Sequence, residues 1–139
     1  MSDKYYLGFD AGTQSVKVAV YDEDQHCLAM DTAKTQPGWV QMDVDEYYRL
    51  IKQCMASCSR QMEEKGWDVK NVRAIMGDGI ICGIAGIDAD GNAITPYVNY
   101  LDSRTADDVE ALKAQKLAIW GKETGNAEPN IMFPAMFAR

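Results

Sequence analysis

The feature that most constrains this chain is a short polar turn, residues 10–15 (DAGTQS), set between two apolar runs. The first run, Tyr5 to Asp10, is rich in aromatic and apolar residues, and the second, Val16 to Tyr21, is rich in β-branched ones. Two such runs joined by a turn that contains glycine predict a β-hairpin. A third strand is predicted from Cys27 to Thr35, so the chain should open with an antiparallel three-stranded meander.

A long helix is predicted after the meander. Asp43 and Glu46 fit a capping box, and apolar or cysteine side chains then recur at helical spacing as far as Met62. Gly66 is a suitable helix terminator. Cys54 and Cys58 fall on one face of this helix; a buried apolar stripe is the favoured interpretation, with metal or redox chemistry as the alternative.

The second half of the chain predicts two more strands and a helix. Val72 to Met76 and Ile80 to Ile87 have the composition of buried strands, and residues 77–79 (GDG) should break them. Ser103 to Lys113 is predicted to be helical, with Thr105 and Asp108 as a cap pair. The order β-β-β-α-β-β-α predicts an α/β fold.

Composition and charge exclude several classes of partner. The chain has 139 residues and a net charge of -7, and a strongly acidic surface is poorly suited to nucleic acid or to an anionic membrane. No apolar stretch approaches the length that spans a bilayer, and no leader-like run opens the sequence. Four dispersed cysteines without a CxxC pair favour a reducing compartment. We therefore expect a cytoplasmic protein.

The turn itself has the composition of an anion-binding loop. Gly12 allows backbone N–H groups to approach a phosphate closely, and Thr13, Gln14 and Ser15 add short polar side chains. Lys17 can reach back as a point charge. Asp10 would repel phosphate unless a divalent cation lay between them, which indicates Mg²⁺. The alternative is a tight hairpin whose turn residues are merely polar.

Four segments in this order resemble the FGGY family of carbohydrate kinases. They are residues 7–25 (LGFDAGTQSVKVAVYDEDQ), residues 37–48 (PGWVQMDVDEYY), residues 83–105 (GIAGIDADGNAITPYVNYLDSRT) and the stretch from Thr124 onward. The resemblance implies ATP-dependent phosphorylation of a sugar or polyol hydroxyl, with Mg²⁺.

The resemblance also implies a fold and a domain assignment. The fold is an RNase-H-like lobe of the actin, Hsp70 and hexokinase type, with a mixed sheet and flanking helices. Residues 1–139 are expected to be the N-terminal part of the first of two lobes, incomplete, with the catalytic base and the second lobe absent. The chain alone is then expected to be inactive.

The family's motifs imply roles for particular residues. Asp10 would lie near the metal, and Gly12, Thr13, Gln14, Ser15 and Lys17 around the ATP phosphates. The acceptor side is implied to involve Trp39, Asp78, Ile81, Cys82, Tyr100, Asp102 and Arg104.

Several of these acceptor positions depart from the family pattern. Ile81 and Cys82 stand where a polar pair is usual, and Tyr100 stands where Trp is common. Such changes predict an unusual or less hydroxylated acceptor, because polyol selection depends on matched buried polar groups. Asp78 between two glycines is either a compensating polar contact or a turn residue in a β-bulge. Trp39 either packs the lobe or touches sugar.

Two alternatives to a sugar kinase stay open at the level of sequence. A nucleotide-binding regulator or actin-like scaffold could share the hairpin without sugar kinase activity. The chain could also be a folded fragment with no activity of its own. Association of identical copies is a further expectation that the sequence does not decide.

Overall fold

A computed structural model describes residues 4–36, 40–115, 120–125 and 128–129. The elements, in chain order, are β1 (Tyr5–Ala11), β2 (Ser15–Tyr21), β3 (Cys27–Lys34), β4 (Gln41–Met42), α1 (Val44–Glu64), a 3-10 helix (Val69–Asn71), β5 (Val72–Gly79), β6 (Tyr97–Val98), α2 (Ala106–Ala114) and α3 (Trp120–Thr124). The chain divides into two compact units. The first comprises Met1–Trp39 and Asp43–Ile80, and the second comprises Val40–Met42 and Ile81–Arg139.

The first unit is built on a four-stranded mixed sheet with the order β3-β2-β1-β5. Strands β1, β2 and β3 pair antiparallel, which confirms the predicted meander, and β5 pairs parallel with β1. The β1–β2 register places Phe9 opposite Val18 and Ala11 opposite Val16. These apolar residues alternate with polar ones along each strand, so one face of the sheet is apolar.

Helix α1 packs its apolar side against that apolar face of the sheet. Both ends of the helix are well defined. The Asp43 carboxylate accepts the amides of Asp45 and Glu46, as an N-cap should. Gly66 has φ +77°, its amide bonds to the Glu63 carbonyl, and the Trp67 amide bonds to the Met62 carbonyl. This pairing is a Schellman motif, so the predicted terminator is confirmed.

The core of the first unit lies between α1 and the sheet. Cys54 and Cys58 are fully buried, and their thiols donate to the carbonyl oxygens of Val16 and Val18 on β2. The apolar-stripe interpretation of these cysteines is therefore correct. The buried members of this core are Tyr5, Leu7, Val16, Val18, Val20, Leu28, Ala29, Leu50, Cys54, Cys58 and Met62.

Strand β5 differs from its prediction in two respects. It continues through residues 77–79, where the two glycines predict a break, because these residues pair in register with Phe9, Asp10 and Ala11. It is also exposed rather than buried. The exposed fractions of Ile75 and Met76, on opposite faces of the strand, are 60% and 78%.

The second unit has little regular strand. Gln41 and Met42 pair antiparallel with Val98 and Tyr97. The predicted strand from Ile80 to Ile87 was wrong: single bridges join Ile84 to Val98 and Ile87 to Ala93, without a continuous ladder. The positive φ of Cys82 takes the chain out of extended conformation there.

Helices α2 and α3 complete the second unit. Helix α2 begins at Ala106, within the predicted segment, and buries Val109. The Thr105 side chain does not cap it, so the predicted cap pair with Asp108 was wrong. None of the helices in the described residues combines the length and the apolar character that a bilayer crossing requires.

Candidate functional site

The turn from Gly12 to Ser15 joins β1 and β2 and is held by hydrogen bonds to its carbonyl oxygens. The Tyr47 hydroxyl donates to the Gly12 oxygen at 2.7 Å, and the Thr35 hydroxyl donates to the Thr13 oxygen at 2.6 Å. The Thr35 amide donates to the Gln14 oxygen at 3.1 Å, and the Gly12 amide donates to the Ser15 oxygen at 3.0 Å. All four carbonyl oxygens of the turn are therefore engaged within the protein.

A row of three charged side chains crosses the sheet next to this turn. Asp10 pairs with Lys17 across β1 and β2 and with Asp78 across β1 and β5, so all three share one face. The Lys17 Nζ lies 4.0 Å from an Asp10 carboxylate oxygen, and both side chains are about half exposed. The Asp78 carboxylate accepts the Gly79 amide at 2.8 Å. The interpretation of Asp78 as a turn or bulge residue is wrong, because it lies in a regular strand register.

This face of the sheet is open and concave. A cavity of about 570 Å³ contains Asp10, Lys17 and Asp78 at its polar end, and its remaining wall is largely apolar, including Tyr21, Met30 and Met76. Two carboxylates and one ammonium in a solvent-accessible row suit a ligand that combines anionic groups with a cation. Carboxylate oxygens are the donors that Mg²⁺ prefers, so the residues present fit that ion.

A second cluster of possible metal ligands consists of Asp22, Asp24 and His26, whose ligand atoms lie within 4.8 Å of one another. These residues form the turn after β2. The Asp22 carboxylate accepts the amides of Asp24 and His26, each at 2.9 Å. The pKa of Asp22 is lowered, first by the hydrogen bond from the His26 amide. Turn formation accounts for this grouping, and it carries no site.

The second unit has a cavity of its own, of about 440 Å³, which brings Asp102 and Arg104 together. The Asp102 side chain is buried, and its two oxygens accept the Arg104 Nε, each at 2.9 Å. An Arg104 terminal nitrogen also donates to Asp102. This hydrogen bonding raises the pKa of Arg104 and fixes the plane of its guanidinium. Apolar residues, including Ile84, Pro96 and Val98, also line this cavity.

The remaining acceptor-side predictions fall elsewhere in the second unit or outside the described residues. Among the described residues, Ile81, Cys82 and Tyr100 do not line the 440 Å³ cavity. Ile81 is exposed, whereas Cys82 and Tyr100 are half-buried. Trp39 lies outside the described residues.

Two residues that support the turn were missed by the sequence analysis. Tyr47 is in the first turn of α1, 35 residues after Gly12, and Thr35 follows β3, 22 residues after Thr13. The helical spacing predicts Tyr47 only as a member of the apolar stripe of the long helix, and the strand pattern predicts Thr35 only as the end of the third strand. No local pattern marks either contact, because both depend on how α1 and β3 pack against the hairpin.

Residues 5–133 match the sequence profile of the FGGY family of carbohydrate kinases, N-terminal domain. An autoinducer-2 kinase from Enterobacter sp. (strain 638) is 28% identical over 117 residues, covering 78% of this chain and 21% of the relative. A xylulose kinase from Escherichia coli (strain K12) is 25% identical over 115 residues, covering 79% of this chain and 23% of the relative. The chain thus spans between a fifth and a quarter of the length of these relatives.

The fold is shared with solved sugar kinase structures. A xylulose kinase from Brucella ovis superposes with a TM-score of 0.75 at 23% identity, over 94% of this chain and 27% of that one. A glycerol kinase from Plasmodium falciparum with ADP gives a TM-score of 0.72 at 20% identity, over 94% of this chain and 27% of that one. At this identity the likeness establishes the actin- and RNase-H-like fold, which confirms the fold class inferred from the sequence.

Proposed function

The chain belongs to the FGGY family of carbohydrate kinases, and we propose that it supplies the phosphate-binding hairpin of an ATP-dependent sugar or polyol kinase. Residues 1–139 would form the N-terminal part of the first lobe. The rest of that lobe, the second lobe and the catalytic base would come from the remainder of the protein. The proposed location is the cytoplasm, which suits four cysteines that form no disulfide.

The observation that carries this proposal is the row Lys17–Asp10–Asp78 beside the turn from Gly12 to Ser15. Backbone amides and one ammonium favour the anionic end of a nucleotide. Asp10 in the same row would repel that end unless a cation intervened. Asp10, with Asp78 beside it, would hold Mg²⁺, which when bound would neutralise charge on the phosphates.

On this proposal the chain's own residues act by positioning. The turn would bind the phosphates through its amides and the side chains of Thr13, Gln14 and Ser15, and Lys17 would orient them electrostatically. Phosphoryl transfer needs a base for the acceptor hydroxyl, and none is assigned in this chain. Residues 1–139 alone should therefore show negligible turnover.

The acceptor is proposed to be a small sugar or polyol, as the names of the relatives suggest. The candidate acceptor residues are Trp39, Asp78, Ile81, Cys82, Tyr100, Asp102 and Arg104. Arg104 is the best supported of these, because the buried Asp102 carboxylate holds its guanidinium at a cavity. The weakly polar pair Ile81 and Cys82 favours an acceptor with fewer hydroxyl groups to match.

The test uses the full-length protein with ATP, Mg²⁺ and a panel of sugars, polyols and deoxy analogues. We expect phosphorylated product from at least one acceptor and loss of at least about a hundredfold in kcat/KM for Lys17→Ala, about 3 kcal/mol of transition-state stabilisation. Lys70→Ala, an exposed lysine in the 3-10 helix at the opposite end of the sheet from the turn, is the matched control. Nucleotide-dependent polymerisation without any phosphorylated product would instead support the scaffold alternative and refute the proposal.

A further inference from the structure

We propose that Tyr47 and Thr35 are positioning residues for phosphate binding, because they hold the turn's carbonyl oxygens so that its amides face an anion. The inference rests on the proposed function and extends it to two residues outside the hairpin. Neither residue would touch the nucleotide. Tyr47 would act through one peptide unit of the turn and Thr35 through two.

The direction of the amides follows from peptide geometry. In a trans peptide the C=O of one residue and the N–H of the next point in opposite directions. The Gly12 oxygen is taken by the Tyr47 hydroxyl, so the Thr13 N–H must point away from Tyr47. The Thr13 oxygen is taken by the Thr35 hydroxyl, so the Gln14 N–H must point away from Thr35.

The third peptide of the turn follows the same rule. The Thr35 amide bonds the Gln14 oxygen, so the Ser15 N–H points the other way. Three successive amides are thereby directed away from the protein groups that hold their carbonyls. Successive N–H groups on one side of a turn form an anion-binding concavity, and phosphates are its usual ligands.

Both anchors are themselves well fixed. Tyr47 lies in the first turn of α1, and its amide bonds the Asp43 carbonyl at 3.1 Å, so the start of the helix sets its position. Thr35 is buried, and its hydroxyl and amide both bind the turn. The anchors reach the turn from two different elements, which restricts rotation of its peptide planes more than either could alone.

The acidic charge of the chain makes the orientation of these amides important for phosphate binding. The chain carries a net charge of -7, and Lys17, the cation nearest to the turn in the row described above, lies beside the Asp10 carboxylate. The Asp10 carboxylate offsets part of the Lys17 charge that an approaching polyphosphate would meet, and Lys34, opposite Ser15 across β2 and β3, is a further lysine at this end of the sheet. Correctly directed amides bind an anion without adding a formal charge, so loss of their orientation should weaken phosphate binding.

The experiment is calorimetric titration of the full-length protein with inorganic triphosphate and Mg²⁺. Tyr47→Phe and Thr35→Val each remove one hydroxyl, and we expect each to raise the Kd about three- to tenfold, the range for one hydrogen bond. Thr35→Ser keeps the hydroxyl and should bind within about twofold of wild type. Tyr48→Phe is the matched control, since Tyr48 is an exposed neighbour of Tyr47 on the same helix.

The outcomes separate the inference from the proposed function. Phosphorylated product from ATP without triphosphate binding by the wild-type protein overturns this inference and leaves the proposed function standing, whereas the absence of both refutes the two together. Wild-type binding with unchanged affinity in Tyr47→Phe and Thr35→Val overturns the inference alone, as does an equal loss in Tyr48→Phe. Thermal unfolding of each variant identifies misfolding. If Thr35→Val misfolds, Thr35→Ser replaces it as the test: wild-type affinity in Thr35→Ser supports the role of the Thr35 hydroxyl, and weakened affinity contradicts it.

Discussion

Gly77 faces the aromatic ring of Phe9 where β5 and β1 run in parallel. A Cβ at this position would lie 2.2 Å from the Phe9 Cζ atom, well inside van der Waals contact. We predict that Gly77→Ala destabilises the protein by about 1–3 kcal/mol, the usual range for overpacking. Urea unfolding monitored by circular dichroism measures this change.

Gly8 supplies the control for that substitution. It lies on the neighbouring strand β1, and a Cβ there would meet nothing within 4 Å. Gly8→Ala should leave stability unchanged or raise it slightly, by about 0.5 kcal/mol, since alanine restricts the unfolded chain. An equal loss of stability in Gly77→Ala and Gly8→Ala would show that the cost comes from the backbone conformation of these glycines and not from a clash with the Phe9 ring.

Cys58 should make stability depend on alkaline pH. Burial, with a smaller contribution from Asp31, raises the pKa of its thiol to about 11. Between the ordinary thiol value near 9 and about 11, the folded state keeps a proton that the unfolded state loses. The free energy of unfolding should therefore fall as pH rises through this window, by up to about 1.4 kcal/mol per unit.

The measurement is urea unfolding at several pH values across that window. Cys58→Ala should be less stable at neutral pH, because it leaves a cavity, yet it should show a shallower decline with pH. Identical slopes in the two proteins would rule out the thiol as the cause. Cys27, which is exposed, should react rapidly with a thiol reagent under conditions where Cys58 does not.

At the level of single residues, the sequence could predict which residues form the turn but not which side chains fix its carbonyl oxygens. Gly12 and Lys17 were identifiable because their chemistry lies within a continuous segment. Tyr47 and Thr35 act through contacts 35 and 22 residues away, which only the packed structure establishes. Of the two interpretations of Asp78, the turn residue is wrong, because the two flanking glycines suggest a break where β1 provides a continuous pairing partner.

Helix α1 positions Tyr47, and its two ends contribute measurable stability. The Asp43 carboxylate caps the first turn at 2.8 Å from the Asp45 amide and 3.2 Å from that of Glu46. We predict that Asp43→Ala costs about 1 kcal/mol in the free energy of unfolding, whereas Asp43→Ser costs only a few tenths. Chemical denaturation distinguishes the two, and an equal cost for both would argue against capping.

The elements differ in how far the sequence could predict them. Helix α1 and strands β1 to β3 were predicted because their apolar periodicity agrees with the side that each one buries. The run Ile80 to Ile87 has strand-like composition, but Cys82 at φ 63° interrupts extended backbone, and only bridges form. Exposure of β5 was not predictable either, because burial depends on what covers a strand rather than on its composition.

Across the whole chain, buried apolar side chains are concentrated in the first unit. Among the described residues, the buried apolar side chains of the second unit are Met42, Val109 and Pro129, while β1, β2 and α1 contribute most of the others. We predict that amides of β1, β2 and α1 exchange with solvent most slowly, and that those of β6 and α2 open at lower free energy. Hydrogen–deuterium exchange with mass spectrometry tests this, and uniform protection across both units would contradict it.

Strand β5 also affects the tendency of this polypeptide to self-associate. In the described sheet it is paired on one side only, by β1, and it presents Ile75 and Met76 on opposite faces. Such an edge is a template on which further strands can add. This polypeptide should therefore self-associate, and its mean particle size should increase with concentration and time. The substitution Met76→Lys should slow this increase, because a charge on the edge strand opposes the addition of further strands.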